Sequence, residues 1–263
     1  MPPVARTITL DGGGLTFEDL RALSRDFLQR EVRLRIAPAA LRRVVRSRAH
    51  VERALRERRT VYGVTTGFGR LADTRIDPPH LDALQVNLLL SHAAGMGMPI
   101  HEAGLLVALR ANALLLGYSG VTPGLVRALV DLYNRGVVPV ILEQGSVGAS
   151  GDLAPLAQLG CVLLGHGEAW IGTRKHPAAA ALRKAGLRPY RFRPKEALSL
   201  INGTPFTAAL FARVLADLED VLKLADVAAA MSLEALKGSL RPFDERFHRH
   251  RPHPGQLATA ANV

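Results

Sequence analysis

Cysteine is nearly missing from this sequence, and what little there is excludes an internal disulfide. The single Cys161 sits in an apolar run, reads as a small core residue, and fits a reducing compartment. Aromatic residues are also scarce, at 5% of the chain, while hydrophobic residues reach 48%. The apolar content is therefore carried by alanine, leucine and valine in long stretches, which favours helices packed on helices. The opening Met1-Pro2-Pro3-Val4 has no charged segment followed by an apolar one, so no secretory leader is expected. Nor does any stretch read as long and apolar enough to cross a bilayer, and a cytoplasmic location without a membrane partner is the expectation. Acidic residues are outnumbered, 23 against 34 basic ones, giving a net charge of +11. Such a field attracts phosphates, yet no helix-turn-helix, RNP-type or zinc-ligand pattern accompanies it. Around Leu41–Thr60 the basic residues are interleaved with Glu52 and Glu57, with Glu52 spaced to pair with Arg56. That reads as a solvated helix face, and no nucleic-acid partner is expected. The histidines between His248 and His253 lack a clean ligand spacing, and no metal is expected there.

What is present is concentrated in one stretch, Gly145-Ser146-Val147-Gly148-Ala149-Ser150-Gly151-Asp152-Leu153-Ala154-Pro155-Leu156-Ala157. A loop of small residues, where glycine opens backbone conformations closed to other residues, runs into an apolar segment that ends near Leu164 and reads as a buried helix. By spacing alone this is an anion site, a plain helix start, or something more reactive. Ala149-Ser150-Gly151 places a glycine nitrogen behind an alanine carbonyl, with few side chains in the way of a tight turn. Closing that nitrogen onto that carbonyl carbon, with loss of water from the ring and from the serine side chain, would turn Ser150 into an exocyclic methylene. Ordinary side chains offer no such carbon electrophile.

The whole run resembles the signature of the aromatic amino acid ammonia-lyases, the histidine, phenylalanine and tyrosine ammonia-lyase family. In that family the Ala-Ser-Gly triplet forms a methylidene-imidazolone (MIO) group autocatalytically. The match carries Ala149, Ser150 and Gly151 together with Asp152, which the resemblance assigns to supporting MIO formation, and Leu153. The fold it implies is mainly α, the N-terminal part of the ammonia-lyase/fumarase-like helical bundle, with a few short strands near the N-terminus. No external cofactor is implied.

Earlier in the chain, Thr7–Leu10 alternates and breaks at Asp11-Gly12-Gly13-Gly14, suggesting a short strand. Thr16 then reads as an N-cap with Asp19 in the first turn and Leu20, Leu23 and Phe27 on one face. Pro38 opens a helix with the stripe Leu41, Val44, Val45, Val51 and Leu55. Val61–Gly69 contains three glycines and two threonines, so it reads as a loop presenting Tyr62 and Phe68. It is either a surface loop with a core tyrosine or, as the resemblance implies, the family's mobile loop. Tyr62 would then be the catalytic base for the β-proton and Phe68 a substrate contact. A phenol titrates near 10 in water, so the role requires positive charge or helix N-termini nearby.

Pro78 and Pro79 open a helix that runs to Ser91-His92. His92 is either a hydrogen-bonded helix-end histidine or, with Ser91, the substrate-sorting pair, which resembles the histidine version more than the apolar phenylalanine one. An imidazole can hydrogen-bond a substrate imidazole where an apolar pocket cannot. Asn87 reads as structural. Helices follow over Glu102–Leu116 and Gly124–Arg135, then the extended run Val137–Ile141. A strand within Gly165–Gly172 and a short helix His176–Ala185 outside the core come after the signature. Asn202 reads as a helix C-cap and, by resemblance, as the asparagine near the substrate carboxylate and the ring; both can hold.

Pro205–Lys237 is apolar nearly all round and is expected inside a bundle. Pro254–Val263 opens another helix. The expected domains are 1–203, bearing the MIO triplet, and 204–263, the start of a central long-helix bundle. The resemblance covers nearly all of this chain but about the first half of the family pattern. Uncovered apolar faces therefore imply a homo-oligomer, tetrameric in the family, or a complementary C-terminal chain. The substrate implied is a small aromatic amino acid, L-histidine in the version resembled, with urocanate as product. The alternatives are a catalytically inactive scaffold or assembly partner and another MIO enzyme, either tyrosine or phenylalanine ammonia-lyase or an aminomutase.

Overall fold

The structure is a computed structural model that describes residues 6–26 and 31–263. The Met1–Val4 opening and Phe27 lie outside the described residues. Two compact units result, Met1–Ala212 and Arg213–Val263, and the division between them falls inside a helix.

The first unit opens with β1 (Arg6–Leu10), α1 (Phe17–Arg25) and β2 (Val32–Ile36). β1 and β2 pair in parallel with Ile8 opposite Leu34, turning alternate apolar residues into the core. α1 starts where its cap chemistry dictates. The Thr16 side chain accepts from the Asp19 backbone nitrogen while the Asp19 side chain accepts from the Thr16 backbone nitrogen. α2 (Pro38–Arg56) carries proline in its first turn and buries Ala40, Val44 and Val51, but Val45 is 52% exposed, so the expected stripe is narrower by that residue. Glu52 pairs backward with Arg48 at 2.6 Å rather than forward with Arg56. The reason is that Arg48 is buried and donates to the carbonyls of Gly120 and Pro194, leaving its remaining charge to be met from its own helix. The face read as solvated thus contains one buried cation.

α3 (Leu81–His92) and β3 (Met96–Pro99) precede α4 (Ala103–Leu115), which is buried nearly all round. α4 packs against α5 (Pro123–Asn134), where Leu125, Leu129 and Leu132 are fully buried, each contributing about 2 kcal/mol of burial free energy. β4 (Val137–Pro139) and β5 (Leu142–Gln144) lead into the signature loop and α6 (Leu153–Leu164), which carries the buried Cys161. Burial raises the Cys161 thiol above its ordinary range, as suits an inert core residue.

β6 (Glu168–Ile171) and β7 (Arg174–Pro177) complete a three-stranded sheet with β4. His176 therefore belongs to a strand, and the helix after it, α7 (Ala178–Lys184), is shorter than expected. α7 also lies in the core rather than outside it, because Ala178, Ala181 and Leu182 form an apolar edge on the main cluster. α8 (Glu196–Ile201) ends at Asn202, and α9 (Pro205–Ala235) begins at once with Phe206 and Ala209 buried.

In the second unit, the rest of α9 is joined by a 3-10 turn at Arg241–Phe243, α10 (Glu245–His248) and α11 (Pro254–Asn262). Asn262 donates to Asp226 on α9 at 2.7 Å. Uncovered apolar faces, as the half-length match implies, are found here, and one expectation is corrected. Val221, Leu222, Val227 and Met231 are exposed, and among the described residues no element buries them. The helical stretch Glu196–Ala235 also contains an 18-residue window of mean hydropathy 1.3, enough by length and composition for a bilayer span. The core helix of a bundle meets the same criterion.

Candidate active site

The loop after β5 reaches α6 through three glycines with positive φ, at Gly145, Gly148 and Gly151. Gly151 is the most constrained of them. Its φ is +114°, and a Cβ there would lie 2.5 Å from the Gly203 nitrogen and 2.6 Å from its oxygen, so only glycine fits. Ala149, Ser150 and Gly151 form a continuous bend in which the first two are exposed and the third is buried. The backbone of the 202–203 turn is laid against this bend. Asp152 donates its backbone N–H to the Gly203 oxygen at 2.7 Å, and Asn202 Nδ2 donates to the Ser150 carbonyl at 3.0 Å.

Asp152 is fully buried at the N-cap of α6 and spends its carboxylate on the loop and on α9. Oδ1 accepts from Ser146 Oγ at 2.8 Å and Thr207 Oγ1 at 2.9 Å, and Oδ2 accepts from the Thr207 nitrogen at 2.9 Å. One buried carboxylate thereby joins both ends of the loop to the start of the long helix. The N-terminus of α6 follows Gly151 by two residues, so its partial positive charge lies beside the bend.

Ser91 and His92 end α3, where Ser91 Oγ donates to the Leu88 carbonyl at 3.1 Å. His92 Nδ1 lies 2.9 Å from the same carbonyl and 3.0 Å from Ser91 Oγ; the carbonyl can only accept, which suits the tautomer with the proton on Nδ1 and Nε2 as acceptor. The chain two residues beyond His92 is tied to the strand that enters the signature loop. β3 pairs with β5 antiparallel, and Gln158 of α6 donates to the Ala94 carbonyl at 2.9 Å while accepting from the Leu142 nitrogen at 2.8 Å. Asn87 is exposed rather than built into the core.

Tyr62 is 56% exposed and stands edge-on to Phe68, with ring centroids 6.3 Å apart. Its hydroxyl accepts from the Gly69 nitrogen at 3.5 Å, and the loop is held from within by Thr65 and Thr66. Gly63 packs on the Leu198 side chain of α8 so closely that a Cβ has no room. The tyrosine loop therefore rests on the helix that ends in Asn202.

The structure thus places Asn202 directly on the triplet, the segment just after Ser91 and His92 beside the loop's entry strand, and the loop bearing Tyr62 and Phe68 against α8 through Gly63. Among the described residues, no hydrogen bond joins Tyr62 or His92 to the triplet itself. The sequence reading missed Ser146, Thr207 and Gln158, whose residue types carry no spacing signal, and Arg110, whose signal was a lone cation in the apolar run Leu105–Leu116. Chemically, the bend offers an exposed serine, a glycine nitrogen free of side-chain obstruction and an amide donor on the intervening carbonyl. These are the features that closure of the triplet into a ring needs. A cavity of about 620 Å3 lies elsewhere, in the second unit beside Val227, Met231 and Val263.

The family described as aromatic amino acid lyase matches residues 15–263. The chain is 49% identical to a histidine ammonia-lyase of Gloeobacter violaceus over 258 residues, covering 97% of this chain and 49% of that one. It superposes on the crystal structure of histidine ammonia-lyase from Trypanosoma cruzi with a TM-score of 0.89 and 38% identity, covering 98% of this chain and 49% of the other. On tyrosine aminomutase from Streptomyces globisporus it gives a TM-score of 0.90 at 34% identity, covering 97% and 48%. The chain spans about half the length of the curated relatives it matches.

Proposed function

Because the chain belongs to the aromatic amino acid lyase family, we propose that it serves histidine ammonia-lyase-type chemistry, eliminating ammonia from L-histidine to give urocanate. The observation that carries this reading is the Asn202 amide on the Ser150 carbonyl, set on a bend whose third member is a buried glycine at φ +114°. These residues fit a methylidene-imidazolone group made from the chain. The Gly151 nitrogen forms a bond to the Ala149 carbonyl carbon, and that carbonyl oxygen leaves as water with the protons of the Gly151 and Ser150 nitrogens. A second water takes the Ser150 hydroxyl and its α-proton, leaving a carbon-carbon double bond where the side chain was. The Ser150 carbonyl becomes the ring carbonyl, and Asn202 is already donating to it. Asp152 holds the loop ends so that the bend is short, and the α6 N-terminus favours electron density moving toward the ring.

When formed, the group supplies a carbon electrophile to the substrate. Tyr62 accepts the β-proton, the substrate lies between Tyr62 with Phe68 and the His92 end of α3, and Asn202 faces its carboxylate. His92 Nε2, as an acceptor, suits the N–H of a substrate imidazole, which favours histidine over phenylalanine. The reading places the protein in the cytoplasm and requires either further copies of the chain or a complementary chain to cover α9. The test is to assay Ser150→Ala beside the parent, supplied with any such complementary chain, for urocanate formation. Loss of turnover in the variant is expected, and equal turnover would remove the serine from the mechanism. A second reading, an aminomutase that returns the amine to the neighbouring carbon, draws support from the likeness to the tyrosine enzyme. β-Amino acid among the products from histidine, tyrosine or phenylalanine would favour it.

A further inference from the structure

Arg110 is the buried charge that the proposed chemistry leaves unused. It sits in the middle of α4 at 5% exposure, surrounded by apolar neighbours, and among the described residues no carboxylate pairs with it. Its Nη2 donates to two backbone carbonyls, those of Ser199 and, at 2.8 Å, Asn202. Its Nη1 is packed against Gly203 so closely that a Cβ at that position has no room. Its Nε is buried without any partner. A cation held this way is expensive, and burial lowers the guanidinium to about 10. The backbone it grips is the last turn of α8 and the 202–203 turn that follows, which puts Asn202 Nδ2 on the Ser150 carbonyl and the Gly203 oxygen on the Asp152 nitrogen.

We propose that Arg110 is a positioning residue for the triplet: it clamps the end of α8 so that Asn202 and Gly203 meet Ala149-Ser150-Gly151 in the geometry that closes the ring. Two carbonyls on one nitrogen, with the second nitrogen against Gly203, define the turn's position relative to α4, the most buried helix of the unit. The loop is then pressed between that turn and the N-terminus of α6. Helix capping alone would need one donor in solvent's place and no buried orphan nitrogen. This inference rests on the reading of the triplet given above, and its test separates the two.

The chain is made by cell-free synthesis and its intact mass followed with time, the fraction lacking two waters being the readout. Folding is checked by circular dichroism and thermal unfolding. The parent converts; Arg110→Met, if folded, converts about tenfold more slowly or worse, as loss of a charge-assisted clamp implies. Arg110→Lys, which keeps the charge but has no second nitrogen to lie against Gly203, falls between them. In an Asn202→Ala background the Arg110→Met effect shrinks, because the clamp acts through that residue. Equal conversion by parent and folded Arg110→Met overturns the inference, as does an effect undiminished in the Asn202→Ala background. Should Arg110→Met fail to fold, parent-like conversion by Arg110→Lys overturns it instead. A parent that never loses the waters would sink the reading of the triplet, whereas a parent and variants that all convert alike would sink the clamp alone.

Discussion

At the scale of single residues, the site is held by groups that each satisfy several partners at once. Asp152 accepts three hydrogen bonds with no exposure to water, so Asp152→Ala strands Ser146 Oγ and both Thr207 donors. That change is expected to lower stability by about 3 kcal/mol, read as a shift in the urea midpoint; a change below about 1 kcal/mol would mean that water replaces the carboxylate there. His92 is the residue on which substrate choice turns. Replacing it by leucine removes the Nε2 acceptor, and the ratio of kcat/KM for histidine to that for phenylalanine should fall by roughly 100-fold in the complemented enzyme. An unchanged ratio would assign His92 to the hydrogen bond with Leu88 and nothing else.

At the scale of elements, local chemistry sets the helix starts, and α1 shows how. Burial works against ionisation of Asp19, but hydrogen bonds from the Thr16 backbone and hydroxyl, with the charge of Arg6, outweigh it and hold the carboxyl below its ordinary 3.8. A carboxyl depressed in the folded state stabilises it above the unfolded value and loses that contribution as pH falls through the lower folded one. Thr16→Ala should therefore cost about 1 kcal/mol at neutral pH, and the difference from the parent should narrow below pH about 4 in chemical denaturation. A gap that stays constant into acid would remove the capping box from the account. The starts of α1 and α2 were legible because Thr16 and Pro38 announce themselves in the sequence, whereas Pro78 and Pro79 open a 3-10 turn and α3 begins only at Leu81. The backward pairing of Arg48 with Glu52 was not legible, since it depends on carbonyls at Gly120 and Pro194, far away in the chain. The same holds for α7, which four alanines and a leucine made look peripheral until its Ala178, Ala181 and Leu182 edge met the core. Asn202 was readable both as a cap and as a site residue, and it is placed to be both.

At the scale of the whole molecule, Val221, Leu222, Val227 and Met231 of α9 have no cover among the described residues; the half-length match implied such a face, while the pattern of period 3.6 says only that a partner is needed. Self-association, or association with a complementary chain, is expected at micromolar concentration by sedimentation velocity, and Leu222→Glu should weaken it by burying a charge in the contact. A monodisperse monomer would contradict this. The central claim, though, lies in the 149–151 bend, where helix, turn and carboxylate converge on three residues. Intact mass of the purified chain, followed by mass mapping of the peptide containing Ala149 to Gly151, tests it most directly. The account predicts a shortfall of two waters confined to that peptide and absent from Ser150→Ala; a full, unmodified mass with an ordinary serine at position 150 would contradict it.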